Sequence, residues 1–260
     1  MPSAAGPKPR SERAIIFGVG AAQFVNILDF MIVMPLGPDF SRALGFPLSH
    51  IGYVGGSYTA AACVSGLAGA LFLDRFDRRS ALAVSMVGLF LGTLAGAFAQ
   101  GLASLMLARI VAGAFGGPAT SVSYSIIADV IPAERRGTAM GAVMGAFSVA
   151  SVLGVPAGLE LARQGSWKLP FVAVAVLGAA IGVFAFTVLP PMVDHLERIE
   201  RRRLTEDLRA LVRLDVLLAL AMTFALMASG FVLIPSIAGY LQYNLGYPRE
   251  RLEYLYLYGG

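Results

Sequence analysis

An aspartate lies inside an apolar stretch near the N-terminus. The segment FVNILDFMIVM, residues 24–34, places Asp29 among side chains that suit lipid or a helix-packing surface. Gln23, Asn26 and Asp29 are spaced by three and therefore share one side of a helix. A charge at the bilayer centre costs roughly 3 kcal/mol or more, so this polar stripe is expected to face protein or a water-filled cavity. Asp29 is thus a candidate proton-binding group.

A second apolar stretch supplies the opposite charge. In LMLARIVAGAFGGPATSVSYS, residues 105–125, Arg109 begins a stripe that continues through Thr120 to Tyr124. If the first helix ends near Leu36, Asp29 lies roughly 10 Å below that end, and Arg109 lies at a similar depth in an antiparallel helix. We expect the two charges to communicate within one cavity, directly or through water.

Two interpretations of this pair of charges stay open. One is a purely structural ion pair. The other is a proton-coupling site, because burial favours the protonated form of Asp29 whereas the guanidinium of Arg109 favours the ionised form. The opposed effects would let a proton load and leave. The hydroxyl and amide groups of the two stripes would then line the cavity, namely Gln23, Asn26, Thr120 and Tyr124.

Composition indicates that these charges belong to a membrane protein. The 260 residues are 57% apolar and 14% charged, with a mean hydropathy of +0.73, whereas soluble domains carry roughly 25% charged residues. A bilayer span needs about 20 mostly apolar residues. The uncharged runs predict an all-α polytopic membrane protein whose spans lie near 14–36, 51–73, 80–99, 102–128, 137–161, 168–189 and 214–237, with an eighth beginning near Leu252.

Charge asymmetry predicts the orientation. Fourteen of the 20 Lys and Arg residues fall in the N-terminal tail and in the loops after the second, fourth and sixth spans. By the positive-inside rule we expect these segments to be cytoplasmic. The expected location is a bacterial inner (plasma) membrane. Anionic lipid explains the basic surface better than nucleic acid does.

The predicted domains follow from the spans. Residues 1–13 form a cytoplasmic tail, 14–189 a six-helix transmembrane bundle, and 214–260 an incomplete second bundle. Between them lies a charged linker, 190–213, whose leucines and isoleucine share one face. It is either an interfacial amphipathic helix or a solvated connector.

A second group of charges lies between the second and third spans, in GALFLDRFDRRSAL, residues 69–82. Asp74 ends one helix and Arg78 and Arg79 begin the next, and both placements oppose the helix dipole. Another group must therefore compensate. Asp129, at the end of the fourth span, is a candidate partner for either arginine, and solvated charges are the alternative.

Five segments, in order along the chain, resemble motifs of the major facilitator superfamily. LDRFDRR resembles the signature of the loop between helices 2 and 3, ARIVAGAFGG the fourth-helix signature, and PAERRGTAMG the following loop. GVPAGLELA, 154–162, resembles the fifth-helix antiporter motif, and LDFMIVMPLGPDF the first-helix motif of drug–proton antiporters. Within the superfamily the likeness is greatest to drug and sugar efflux permeases, including arabinose-efflux-permease-like proteins.

The resemblance implies two six-helix bundles, each of inverted three-helix repeats, that alternate access to a central cavity. It implies that Asp29 and Arg109 take part in proton coupling, and that the fifth-helix residues Gly154, Pro156 and Gly158 keep the path from leaking. It further implies that Asp74 latches the cytoplasmic side, together with Arg75, Arg78, Arg79 and Asp129. Asp77 replaces a glycine of that motif, and the extra acid could weaken or rewire the latch.

The expected function is proton-coupled efflux of small amphipathic molecules or sugars. Family members have about twelve helices, so a chain that stops within the eighth is expected to be truncated and to need the missing helices or a complementary chain. The alternatives are a non-transporting fragment that associates with lipid or a partner, and proton-coupled uptake. With two histidines and no metal-spaced cluster, neither enzymatic activity nor a cofactor is expected.

Overall fold

The computed structural model describes residues 12–193 and 212–259. Within these ranges the chain is almost entirely helical. The predicted linker helix falls largely on residues 194–211, and most of the predicted tail on residues 1–11, so both lie outside the described part. The helices are α1 (Glu12–Met31), α2 (Gly37–Leu44), α3 (Ile51–Phe72), α4 (Arg78–Ala97), α5 (Leu102–Val130), α6 (Ala133–Val149), α7 (Val155–Gln164), α8 (Lys168–Val188), α9 (Leu214–Asn244) and α10 (Leu252–Gly259).

Among the described residues, five helical segments are long and apolar enough to cross a membrane. They are α1, α4, α5, α8, and the continuous stretch Ala133–Gln164, which joins α6 to α7 through a π-helical turn at Ala150–Gly154. The 22-residue helix α3 also has the length of a membrane span. The all-α membrane architecture predicted from the sequence is confirmed.

The first helix is shorter than its hydropathy suggests. α1 ends at Met31, and residues 32–36 form a buried turn that leads into the separate helix α2. Pro38 lies in the first turn of α2, where its missing N–H is not needed. The prediction that helix 1 runs to Leu36 is therefore wrong.

Small residues bring the helices that carry the site close together. α5 packs against both α3 and α4. A Cβ added at Gly92 in α4 would collide with the backbone of Ala112 in α5, and one at Gly113 would collide with the backbone of Tyr58 in α3. Such close approach is the usual way in which helices associate in lipid. It sets Arg109, one turn before Gly113, within reach of three other helices.

Two opposite faces are defined by the helix ends. We call the end that carries Arg75, Arg78 and Arg79 the basic face. The other end carries α2 and the turn Arg249–Arg251, and we call it the opposite face. The site around Asp29 lies between them.

Candidate functional site

The acid and the arginine are in direct contact. Asp29 on α1 and Arg109 on α5 are both fully buried. Nη1 of Arg109 donates to both carboxylate oxygens, at 3.0 Å to Oδ1 and 2.9 Å to Oδ2. Nη2 donates to the main-chain oxygen of Asp29 at 3.1 Å. The guanidinium therefore holds the carboxylate and the helix backbone that carries it.

A threonine on a third helix completes the shell of the carboxylate. The hydroxyl of Thr93 on α4 donates to Oδ1 of Asp29 at 2.7 Å, and Thr93 is itself buried. The sequence analysis missed this residue. A single threonine in an apolar run is indistinguishable from an ordinary packing residue, and only the approach of α4 to the pair reveals its partner.

An aromatic ring covers the other side of the arginine. Cζ of Arg109 lies 4.5 Å from the ring centroid of Tyr58 on α3, a distance typical of a cation–π contact. Within the described chain, Nε of Arg109 has no hydrogen-bond partner. The tyrosine hydroxyl donates to Oδ1 of Asn26 at 2.6 Å. Tyr58, also missed from the sequence, thus connects the ion pair to the polar stripe on α1.

The polar stripe forms a hydrogen-bonded chain. Nδ2 of Asn26 donates to Oγ1 of Thr120 at 2.8 Å and to the carbonyl of Gly116 at 3.0 Å. The Thr120 hydroxyl donates to Oε1 of Gln23 at 3.3 Å. A Cβ at Gly116 would stand 2.7 Å from Oδ1 of Asn26, so glycine is needed there. Three of the four predicted stripe residues are brought together, whereas no hydrogen bond among the described residues joins Tyr124 to them.

The glycines of the fifth-helix motif pack against α1 on either side of the aspartate. A Cβ at Gly154 would lie 2.8 Å from Leu28, and one at Gly158 would collide with Ile32. Pro156 stands at the start of α7, directly after the π-helical turn. The motif therefore shapes the surface on which the helix carrying Asp29 rests.

On the basic face, Arg78 is the central residue of a charge cluster. Its Nη1 lies 2.7 Å from Oδ1 of Asp74, and its Nε lies 3.2 Å from Oδ2 of Asp129. Of the two arginines that could pair with Asp129, the structure selects Arg78. Arg79 instead lies over the ring of Phe186, at 5.3 Å to the centroid. Arg75 is exposed.

Asp77 anchors this loop to the start of α4 and to the segment after α8. Its carboxylate accepts hydrogen bonds from the amides of Arg79 and Ser80 and from the Ser80 hydroxyl, and so caps α4. It also accepts from the amide of Met192, after α8, at 2.7 Å. Partial burial by itself would raise the pKa of Asp77. The hydrogen bonds to its carboxylate lower the pKa by more than burial raises it, so the pKa lies below its ordinary value. Asp77 supplies the negative charge that the start of α4 requires.

The comparisons with known proteins agree with this architecture. The family model described as Major Facilitator Superfamily matches residues 19–259. Inner membrane transport protein YdhP of Escherichia coli (strain K12) is 28% identical over 226 residues, covering 87% of this chain and 55% of YdhP. A chloramphenicol efflux pump of Mycobacterium tuberculosis (strain H37Rv) is 28% identical over 196 residues, covering 74% of this chain and 48% of the pump.

Solved structures share the fold at low identity. The bacterial homologue of the human lysosomal transporter Spinster, in an inward-facing and unoccupied conformation, superposes with a TM-score of 0.75 at 18% identity. The match covers 98% of this chain and 60% of the Spinster homologue. A D-xylose–proton symporter gives a TM-score of 0.69 at 19% identity, over 95% of this chain and 65% of the symporter.

The matches cover most of this chain but only part of each curated relative. The chain spans about half the length of the curated relatives it matches. The family model, in contrast, covers nearly all of the chain. Together with the helical architecture, this match shows that the chain belongs to the major facilitator superfamily.

Proposed function

We propose that this protein is a secondary transporter, or part of one, that exports small amphipathic molecules or sugars in exchange for protons. The observation that carries the proposal is the fully buried Asp29–Arg109 pair, which is joined through Tyr58 to a chain of amide and hydroxyl groups. An ionisable pair inside a membrane bundle is by default a functional site. The efflux pump and the proton symporter among the similar proteins support transport and proton coupling by analogy.

Protonation of Asp29 would change the contacts of Arg109. The neutral acid attracts the guanidinium less, while Nη2 remains bonded to the backbone of Asp29 and the Tyr58 ring remains beneath it. Arg109 can therefore shift without leaving its pocket. Because the Tyr58 hydroxyl is bonded to Asn26, the shift reaches the groups that would contact a substrate. Proton binding and substrate binding are thereby coupled through a few side chains.

The two faces would then open in turn. On the opposite face, Nη2 of Arg249, after α9, lies 2.7 Å from Oδ2 of Asp39 on α2, and the two side chains are largely buried. This ion pair joins the first bundle to the beginning of the second. Opening that face requires the pair to separate.

The basic face is proposed to be cytoplasmic, in a bacterial inner membrane with the N-terminus inside. The excess of arginine there and the inner-membrane relative support the orientation. The cluster of Asp74, Arg78 and Asp129, with Asp77 as its anchor, would hold the cytoplasmic side closed in the other half of the cycle. Membrane lipid is the expected neighbour of the remaining apolar surface.

The direction of transport can be measured in inverted membrane vesicles that contain the protein as its own cell makes it. Labelled chloramphenicol and D-xylose are suitable probes, since similar proteins are named for them. Export by proton exchange predicts accumulation inside acidified vesicles and its loss on adding an uncoupler. Accumulation under the opposite gradient only would establish uptake. Vesicles without the protein are the control.

A second candidate is a non-transporting chain that associates with lipid or a partner. It is favoured by the exposed apolar residues of α9, such as Leu218, Met222 and Phe224, which lipid or a partner could cover. The intact mass of the polypeptide in its native membrane separates the candidates. A mass near 27.3 kDa without a complementary chain favours association alone. A larger mass, or a co-purifying chain that supplies more helices, favours transport.

A further inference from the structure

We infer that Thr93 is a positioning residue that directs the proton to Oδ2 of Asp29 and sets the pH at which that proton loads. The inference rests on the proposed function, since it assigns a role within the same proton-coupling site. It arises from an asymmetry in the hydrogen bonds to the two carboxylate oxygens.

Oδ1 and Oδ2 of Asp29 have different numbers of donors. Oδ1 accepts from Nη1 of Arg109 at 3.0 Å and from the Thr93 hydroxyl at 2.7 Å. Within the described chain, Oδ2 accepts only from Nη1, at 2.9 Å. Nη2 does not add a second bond, because it is directed to the backbone oxygen of the same aspartate. Arg109 therefore does not make the two parallel bonds of the usual fork, and one oxygen is left with spare acceptor capacity.

An incoming proton takes the oxygen with a free lone pair. A carboxylate oxygen offers about two acceptor sites. Both sites on Oδ1 are filled, whereas Oδ2 retains one. Protonation at Oδ2 leaves Oδ1 as the carbonyl oxygen, which can keep its bonds from Thr93 and Arg109. The neutral acid stays in place, and the bond to Arg109 that weakens is the one to Oδ2.

Among the described residues, no other group around Asp29 is a neutral hydrogen-bond donor to its carboxylate. Among the described residues packed against it, the charged group is Arg109 from α5 and the titratable group is Tyr58 from α3. Arginine stays protonated in proteins and cannot lose its charge. The Tyr58 hydroxyl is committed to Asn26. The surface of α6 and α7 contributes the glycines that pack near Leu28 and Ile32. Thr93 from α4 is the neutral donor to the carboxylate.

A hydroxyl that donates to a carboxylate stabilises the ionised form. Removing the donor makes the proton bind at higher pH. A hydrogen bond to a charged group is worth enough to move a titration midpoint by about one pH unit. Thr93→Val removes the hydroxyl and keeps the shape, whereas Thr93→Ser keeps the hydroxyl and removes the methyl group. The two variants separate donation from packing.

Infrared difference spectroscopy can follow the protonation of Asp29 without any substrate. The sample is the protein isolated from its native membrane with any companion chain, in lipid nanodiscs, and Asp29→Asn assigns the carboxyl C=O band. We expect the band of Thr93→Val to titrate about one pH unit higher than that of the wild type. Its C=O frequency should rise, because the carbonyl at Oδ1 loses a hydrogen bond. Thr93→Ser should restore both values.

Two results would overturn the inference. Equal midpoints in the wild type, Thr93→Val and Thr93→Ser would show that the hydroxyl does not affect the proton. A shifted midpoint with an unchanged frequency would place the proton on Oδ1. Should Thr93→Val fail to assemble, Thr93→Ala compared with Thr93→Ser gives the same contrast. If the band behaves as expected but no proton gradient drives transport, the proposed function fails while the role of Thr93 stands.

Discussion

Two arginines are buried in the part of the chain that the structure describes, but their acidic partners differ in exposure. Arg109 pairs with Asp29, and their side chains are 1% and 0% exposed. Arg78 is 7% exposed, yet its partners Asp74 and Asp129 are 54% and 37% exposed. Asp29 depends on protein groups for all of its stabilisation, whereas the acids around Arg78 also keep contact with solvent. The same residue types therefore form a fully buried pair in one region and a partly solvated cluster in the other.

This difference in exposure determines how much stability is lost when one member of an ion pair is removed. Breaking a buried ion pair leaves an uncompensated charge and costs about 3–5 kcal/mol. An exposed pair contributes about 0–1 kcal/mol because water replaces the missing partner. We therefore expect large effects around Asp29 and small ones at the acids of the basic face, and each comparison below tests that contrast.

The largest expected effect on function follows Asp29→Asn. The amide keeps the size of the side chain and one acceptor oxygen for Thr93 and Arg109, but it cannot take up or release a proton at working pH. We expect gradient-driven transport to fall to the background of empty vesicles while the protein still assembles. Asp215→Asn, which alters an exposed acid in the first turn of α9, is the matched control and should retain coupling. Unchanged, fully pH-coupled transport in Asp29→Asn would contradict the proton-coupling role.

The largest expected effect on stability follows Arg109→Ala. The change leaves Asp29 charged and unpaired in a buried site, so the free energy of unfolding should fall by about 3 kcal/mol or more. Denaturant unfolding in detergent measures it. The double variant Asp29→Asn with Arg109→Ala removes the stranded charge and should recover much of the loss. Equal losses in the single and double variants would show that packing against Tyr58, rather than charge, dominates.

An intermediate effect is expected at Asp77, the cap of α4. Asp77→Ala should lower the free energy of unfolding by about 1 kcal/mol, as for other helix caps. Because folding lowers the pKa of Asp77, its stabilisation is present above the ordinary carboxyl pKa and is lost as pH falls through the lowered value. The difference between wild type and variant, measured by unfolding at neutral and acid pH, should therefore shrink on acidification. A constant difference would mean that the carboxylate charge is not involved.

The smallest effect on stability is expected at Asp74. More than half of its side chain is exposed, so Asp74→Asn should change the free energy of unfolding by less than about 1 kcal/mol. A latch role predicts an altered transport rate despite that small change. The transport rate and the free energy of unfolding, measured on the same preparation, distinguish a latch role from a structural role. A loss of stability as large as that of Arg109→Ala would remove the distinction between the two regions.

Much of the site could be predicted from residue type and spacing. Intramembrane charges are rare, so Asp29 and Arg109 stand out in apolar runs, and the spacing of Gln23, Asn26 and Asp29 fixes their common helix face. Thr93 and Tyr58 carried no such signal, because threonine and tyrosine are ordinary residues in membrane helices. Tyr124 shared the stripe of Thr120 along α5, but no hydrogen bond among the described residues connects it to the polar chain.

The sequence by itself determined the membrane class, the position of most helices and the two charges that need a partner. These properties depend on hydropathy and periodicity along one dimension, which the chain carries without reference to its neighbours. The end of α1 at Met31, the choice of Arg78 by Asp129, and the bond of Asp77 to Met192 were decided by tertiary structure. Each of these three features depends on which groups the packed helices bring together, to within about 3 Å for a hydrogen bond. The local sequence does not determine distances between residues that are far apart in the chain.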